Sequence, residues 1–459
     1  VGKHTGGYAP FSFDITDALE ENRRHTLKVK VTDSTDKWYQ PRGKQVSDPN
    51  GIWYTAVTGI WQTVWMEPVP SSSVNSYYAV SDIDSETLKV SVDAALEEGD
   101  EVEVTLLADG VPVVTAEGRE VTLPVPDMKL WSPSSPYLYD LEIKVIRGGS
   151  AVDSVKGYTA MRKISYAADE AGHKRMLLNN EPLFQYGPLD QGWWPDGLYT
   201  APSDEALAFD IEKTKEMGFN LIRKHVKVEP ARWYWHCDRL GMLVWQDMPS
   251  TTYGDNEWGN RAYGTGTDSK ITQEGKDNYY SEWGEIINDF KVFPCIVCWV
   301  PFNESWGQFD TEAVVQFTRD QDPTRLVNYA SGGNFERCSG DILDLHNYPH
   351  PEMYLYDKDY INVLGEYGGI GWPVEGHLWQ PDHNWGYIQF KSAEDVLDVY
   401  EKYADMLIEL IDDGFAAAIY TQTTDVEIEV NGLMTYDRKV VKLDTERLSA
   451  INRRVIDSM

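Results

Sequence analysis

Two glutamates in this 459-residue sequence stand where chemistry could be done. The first lies in CIVCWVPFNESWGQ, residues 295–308. The apolar run from Cys295 to Val300 reads as a buried strand, and it stops abruptly in Pro301-Phe302-Asn303-Glu304, flanked by Trp299 and Trp306. The second lies in VLGEYGG, residues 363–369, where another apolar strand ends in Glu366. Gly368 and Gly369 follow, and glycines let a substrate or a neighbouring backbone come close. Two carboxylates about 5 to 5.5 Å apart are what retaining glycoside hydrolysis uses: one attacks the anomeric carbon, the other protonates the leaving oxygen. Either glutamate alone is more simply read as an ion-pair partner at a strand end. Two such ends, each ringed by Trp, Tyr and Gly, favour catalysis.

Other strand ends add polar groups. Asp190-Gln191 precedes WWPDGLY (193–199), which carries Trp194. A second strand carries Arg223, His225 and Lys227. A third ends in Trp245-Gln246-Asp247, a sixth in His346-Asn347-Tyr348 and an eighth in Tyr420-Thr421-Gln422. Each alone serves equally well as a satisfied core group; together they suit the hydroxyls of a β-linked oligosaccharide or glycoside. His225, Asp247 and His346 lack any HxxxH-like spacing, so no metal is expected. No GxGxxG or P-loop pattern occurs, and no cofactor is expected.

To present these groups at one mouth, the strands must run parallel. From about residue 164 apolar strands alternate with amphipathic helices: strands at Leu183–Gly187, Asn220–His225, Met242–Gln246, the Cys295–Val300 run, Leu326–Ala330, Ile342–His346, Ile361–Gly365 and Ala416–Tyr420. Helices are expected over Ser203–Met217, Pro230–Leu240, Asp277–Phe290, Asp310–Arg319, Ala393–Asp412 and Asp444–Asp457. The pattern counts as eight βα units in about 290 residues, the size of a TIM barrel, whose reactive groups gather where strands end. By that count Glu304 follows strand four and Glu366 ends strand seven.

Residues 1–163 carry no convincing long helix. Short alternating segments such as Thr26–Val31 and Glu101–Leu106, separated by turn clusters, are antiparallel sandwich language. A break at Pro68-Val69-Pro70 divides them into 1–68, a partial sandwich, and 69–163, a complete one; the barrel takes 164–459. In the first unit, Ser12–Ile15, His25–Val31 and Gln62–Glu67 read as strands. A sheet short of strands exposes backbone and one apolar face. Pairing with another chain, which leaves room for a homo-oligomer, or raised mobility is therefore expected there.

Composition narrows the partners. The net charge of −33 makes nucleic acid and an anionic membrane surface poor partners, and no apolar run reaches the roughly 18 residues of a membrane span. Seventeen tryptophans are enough to wall a carbohydrate cleft as well as to fill cores. Of the four cysteines, Cys295 and Cys298 point to opposite faces of a strand, which suits packing rather than a shared bond or metal.

Several stretches carry a resemblance. VGKHTGGYAPFSFDIT (1–16) and GIWQTVWMEPV (59–69) resemble the latter half and exit of the jelly-roll sugar-binding domain of glycoside hydrolase family 2. This is the β-galactosidase, β-glucuronidase and β-mannosidase group. LWSPSSPYLYDLEI (130–143) and GYTAMRKI (157–164) resemble the end of its immunoglobulin-like domain, and NLIRKHVKVEPARWYWHCDRLGMLVWQDMP resembles barrel strands two and three. The resemblance implies Glu304 as acid/base, Asn303 at the sugar 2-hydroxyl and Glu366 as nucleophile. Departures cluster around the sugar pocket: Pro188-Leu189-Asp190-Gln191 replaces Asn-Arg-His-Glu, Arg223-Lys224-His225 replaces Arg-x-x-His, Asp247 stands one place early, and Tyr420 stands where a Trp often ends strand eight. In EVNGLMTYDR (429–438), Glu429, Val430 and Asn431 occupy the Asn-x-Lys positions of β-glucuronidases. A uronate clamp is missing there, unless Lys224 or Lys227 serves. The expectation is a retaining exo-β-glycosidase, first of β-galactosides, with β-mannosidase, β-arabinopyranosidase or β-glucuronidase as family alternatives and a non-catalytic carbohydrate-binding protein as the alternative from another class.

Overall fold

The structure is a computed structural model that describes residues 1–21, 23–250 and 268–459. Its centre is a parallel barrel, labelled here β1 (Gln185–Asp190), β2 (Leu221–Lys224), β3 (Leu243–Asp247), β4 (Ile296–Val300), β5 (Leu326–Val327), β6 (Ile342–His346), β7 (Ile361–Gly368) and β8 (Phe415–Thr421). The ladder runs β5-β4-β3-β2-β1-β8-β7-β6. Between the two end strands, the Asp341 N–H donates to Val327 O and the Gly332 N–H to Asp344 O, so the barrel is nearly closed. Every strand residue is buried, as expected of strands covered on both faces.

Among the described residues six α-helices surround it: α1 (Asp204–Glu216), α2 (Ala231–Leu240), α3 (Gln273–Phe290), α4 (Thr311–Gln321), α5 (Ala393–Asp412) and α6 (Thr445–Ile456). Side chains of Ser203, Thr272, Ser392 and Asp444 cap α1, α3, α5 and α6 by accepting from backbone N–H groups of the first turn. The count of eight βα units is corrected: among the described residues no helix follows β5 or β6. Those connections are irregular chain instead. Strand β5 is also shorter than Leu326–Ala330, because the chain leaves the ladder after Val327.

Ahead of the barrel, seven antiparallel strands form two packed sheets. Ser73–Asp82, Thr87–Ala95 and Glu120–Pro124 form one sheet, and Val111–Glu117, Asp100–Ala108, Tyr139–Arg147 and Ser150–Thr159 the other. This immunoglobulin-like sandwich closes on Leu88, Val90, Val104, Leu106, Leu123, Leu141 and Ile143. It grips the barrel from below. The Tyr158 hydroxyl donates to Asp238 Oδ2 (2.7 Å), Trp131 Nε1 donates to Asp238 O (2.8 Å), and Arg162 Nε donates to Pro294 O (3.0 Å). Asp238 Oδ1 in turn accepts the Cys295 N–H at the foot of β4 (2.6 Å).

The first seventy residues are built differently. Among the described residues, Ser12–Ile15, His25–Val31 and Gln62–Glu67 lie in no ladder, contrary to their alternating pattern; Gln45–Val46 and Tyr54–Thr55 pair parallel, and Asn50 and Trp53 form a single antiparallel bridge between them. An alternating sequence forms a strand only beside a neighbour that takes up its backbone bonds. Leu27, Val29, Trp65 and Met66 accordingly stay exposed. The segment is held to the barrel by side chains. Glu282 of α3 accepts the N–H groups of Gly7 (2.6 Å) and Tyr8 (3.0 Å), and Glu427 accepts that of Thr55 (2.8 Å).

Candidate active site

The mouth is organised around Arg223, which is fully buried on β2. Its guanidinium donates twice to Asp247 (3.1 and 2.9 Å), to Asn303 Oδ1 (2.7 Å), and to Glu366 Oε1 (3.4 Å). Four strands are thus tied by one planar donor, and only Arg offers that geometry. Burial raises the Asp247 carboxyl, opposed by Arg223. Asp247 also pairs with His225 Nδ1 at 2.8 Å. Burial pushes the His225 imidazole well below its usual range, so it is neutral, donating Nδ1–H to Asp247. Its Nε2 is left as an acceptor without a partner among the described residues. The Arg223 contact likewise orients the Asn303 amide, leaving Nδ2 a buried donor without a partner among the described residues.

Glu304 and Glu366 face one another across this floor. His346 Nδ1 lies 2.9 Å from Glu304 Oε1 and 3.5 Å from Glu366 Oε2. Ligand atoms of all three lie within 4.8 Å of one another, so these are the residues that could also hold a cation. His346 Nε2 pairs with Ser331 Oγ at 2.8 Å, and the Ser331 carbonyl accepts the Glu304 N–H at 2.8 Å. Glu304 and Ser305 turn in the left-handed region (φ 51° and 69°), which a non-glycine residue adopts at a cost. Gly332 is required beside them: a Cβ there would lie 2.3 Å from the His346 ring.

The Tyr348 hydroxyl donates to Glu366 Oε2 (2.7 Å) and pairs with Thr421 Oγ1 (2.7 Å). Its ring stacks on Tyr387, centroids 3.8 Å apart and planes 6° from parallel. Gly369 makes that possible, since a Cβ would meet Tyr387 at 2.3 Å. Trp385 packs on Tyr387, and Trp53 on Trp306. Trp299, by contrast, faces the helix layer, T-stacked on Trp283 and bonded to Asp322.

Glu304, Glu366, Asn303, Arg223, His225, Asp247, His346 and Tyr348 therefore come together. Gln422 is buried nearby, its Nε2 donating to Asn431 Oδ1 (2.8 Å). Three expected residues serve elsewhere. Asp190 is paired with Lys224 (2.6 Å), which also binds Glu229 (2.9 Å). Trp194 lies under the Arg438 guanidinium, 4.0 Å from its ring centroid. Tyr420 packs with Tyr367 and Tyr400 between β8 and the helices. The alternation of β8 places Thr421, not Tyr420, at the mouth. Neither strand-two lysine is available for a uronate: Lys224 is taken up by two carboxylates, and Lys227 binds Glu229 and the carbonyls of Gly192 and Tyr199.

Residues the sequence reading missed come from two loops. Lys44, Trp53 and Tyr54 enter from the N-terminal segment, and Tyr387 and Trp385 from the loop after β7. Glu429 was noted only for what it replaces. No local motif marks any of them.

Fold and mouth define a parallel-barrel protein with a paired-carboxylate centre. Comparison with known proteins takes this further. The model for "Glycosyl hydrolases family 2, TIM barrel domain" matches residues 174–443, and that for "Glycosyl hydrolases family 2" matches 63–162. The chain belongs to glycosyl hydrolase family 2. Among its relatives are a β-galactosidase of Thermoanaerobacter pseudethanolicus, 25% identical over 83% of this chain and 47% of the relative, and a β-glucuronidase of Bacteroides fragilis, 22% identical over 96% and 68%. A putative β-glucuronidase of Formosa agariphila is 27% identical over 88% of this chain and 44% of its own. The chain thus spans about half the length of two of these three. In fold it is similar to the β-D-glucuronidase of Dictyoglomus thermophilum (TM-score 0.65, 17% identity, covering 84% of this chain and 69% of that one) and to that of Ruminococcus gnavus (TM-score 0.66, 18%, 84% and 69%). Among the described residues no helix is long and apolar enough to cross a membrane.

Proposed function

We propose that the protein is a retaining exo-β-glycosidase, acting first on β-galactosides. The observation that carries this is the approach of Glu304 and Glu366 to within 4.8 Å, both buried at the end of one barrel. Inversion needs room for a water between the carboxylates, about 6.5 to 9.5 Å; retention needs the closer spacing.

In the first step Glu366 attacks the anomeric carbon while Glu304 gives its proton to the glycosidic oxygen, releasing the aglycone as an alcohol. Arg223 and Tyr348 fix the attacking carboxylate by its two oxygens. The free Nδ2 donor of Asn303 is suited to the sugar 2-hydroxyl, where a hydrogen bond strengthens in the transition state. In the second step Glu304, now a carboxylate, takes a proton from water. The water oxygen bonds to the anomeric carbon and the bond to Glu366 breaks. His346, against both carboxylates, holds them in register through the exchange. The β-galactoside reading draws on relatives named β-galactosidase and on the carboxylate and amide at Glu429 and Asn431, where β-glucuronidases carry a basic clamp.

The test is covalent trapping with a 2-deoxy-2-fluoro-β-galactoside. A glycosyl mass on the peptide carrying Glu366, and a β-configured first product by NMR, are expected. A label elsewhere, or an α-configured product, would sink the assignment.

A further inference from the structure

One charged pair at the mouth is used neither by the barrel nor by the chemistry above. Lys44 is buried, 4% exposed, and its ammonium makes no hydrogen bond or ion pair among the described residues. It lies 5.6 Å from the ring centroid of Tyr54 and 5.9 Å from that of Trp306. Burial draws its pKa down, and Glu429, Glu366 and Glu304, in that order, draw it back up. The ammonium thus sits in the field of both reacting carboxylates but nearest in effect to Glu429. An ammonium carries three donors.

Glu429, 2% exposed, lies on the loop after β8, and its charge acts on Lys44. Its Oε2 accepts from the Tyr54 hydroxyl and its Oε1 from Asn431 Nδ2 (3.1 Å). Burial raises the Glu429 carboxyl, and Lys44 and these two donors oppose the rise; of the about four acceptor positions of its charged form two are occupied. Tyr54 thus joins the two groups: its ring underlies the lysine and its hydroxyl fixes the glutamate. The outer wall therefore offers unused donors on one side and unused acceptors on the other.

We infer that Lys44 and Glu429 form the glycone-reading wall of the pocket, an ammonium–carboxylate pair that binds neighbouring hydroxyls of an uncharged sugar and rejects uronates. This rests on the glycosidase reading above. A sugar hydroxyl both donates and accepts, which is what such a pair needs. Lys44 and Glu429 cancel in charge, as do Arg223 and Asp247, which leaves Glu366 as the net charge when Glu304 holds its proton. A uronate would add a second negative charge to a buried, already negative pocket, with Glu429 against it and no spare cation from β2. Selectivity then comes from repulsion of the wrong sugar as well as attraction of the right one.

The experiment compares kcat/KM for 4-nitrophenyl β-galactoside and β-glucuronide in the wild type, Lys44→Met and Glu429→Gln. Labelling of Glu366 by the fluoro sugar reports in each protein whether the reacting centre is intact. The wild type is expected to favour the galactoside by roughly a hundredfold or more, and each variant to lose roughly ten- to a hundredfold on it while still labelling. Glu429→Gln should also narrow the preference over the glucuronide by about tenfold or more, since the repelling charge is gone. A wild type that prefers the glucuronide, or two variants with unchanged preference and rate, overturns the inference while labelling leaves the glycosidase reading standing. Failure of the wild type to label overturns both. Binding by calorimetry to Glu366→Gln, with galactose expected to bind and glucuronate to bind at least about tenfold more weakly, checks the same selectivity without turnover; tighter glucuronate overturns it.

Discussion

The pocket is walled by two regions that are held in opposite ways. The barrel supplies Arg223 and Glu366 from ladder strands β2 and β7, and Asn303 and Glu304 from the turn after β4, where the Glu304 N–H is tied to Ser331 O. The N-terminal segment supplies Lys44, Trp53 and Tyr54 from chain with one two-residue pairing, fastened by Glu282, Glu427 and Glu429. The difference teaches where each kind of precision is needed. Reacting atoms tolerate little displacement, and closed ladders limit it. A wall that reads hydroxyls can be hung on a few side-chain contacts.

The comparison breaks most visibly on the barrel side. Glu366→Ala should reduce kcat by about 10⁴-fold or more while the melting temperature moves little; near-normal turnover would remove the nucleophile from Glu366. Next, Asn303→Ala should slow turnover by an amount corresponding to ~2–4 kcal/mol on substrates that carry a 2-hydroxyl. A 2-deoxy substrate should not feel the change, and a deficit there would assign the amide another role.

Apart from Lys44, the segment side should show itself in stability. Limited proteolysis should cut first within residues 1–68, where chain lies outside ladders, and leave a barrel fragment. First cleavage in a barrel strand would reverse the contrast. The smallest effect concerns the fastening at Gly7 and Tyr8. Burial raises the Glu282 carboxyl from 4.5 to about 7. Between those values the folded protein keeps a proton that the unfolded chain has released. The folded state therefore loses stability as pH rises through the window, by up to ~1.4 kcal/mol per pH unit. Glu282→Gln should flatten that part of the stability–pH curve, measured by urea midpoints; an unchanged slope would show that Glu282 ionises normally.

Much of the barrel was legible because its strands are continuous apolar runs with caps and breakers between them. The two glutamates were legible because each interrupts such a run. Tyr420 was misplaced by one residue, and on a strand one residue is the difference between pocket and core; Thr421 has the inward place. Asp190 was read as a pocket group because nothing local reveals Lys224 as its partner. Lys44 could not have been found: it lies some two hundred and sixty residues from Glu304 in sequence, on chain without a period, and only the folded contacts bring it to the mouth. The strands read in the first seventy residues failed for the converse reason. Their local pattern was sound, but a ladder is a property of two segments.

The turn at Glu304 and Ser305 bears on how such a chain can change over time. Two successive non-glycine residues in the left-handed region burden the folded state by about 1–2 kcal/mol each, and glycine at either place would relieve it. Natural chains sit only a little above the stability they need, so a burden of that size persists where something holds it in place. On the proposed glycosidase reading that something is reactivity, because relief at residue 304 would remove the carboxyl itself. A descendant released from hydrolysis could relax this turn and keep the barrel, so the local composition of the loop would record whether the fold is still working as a catalyst.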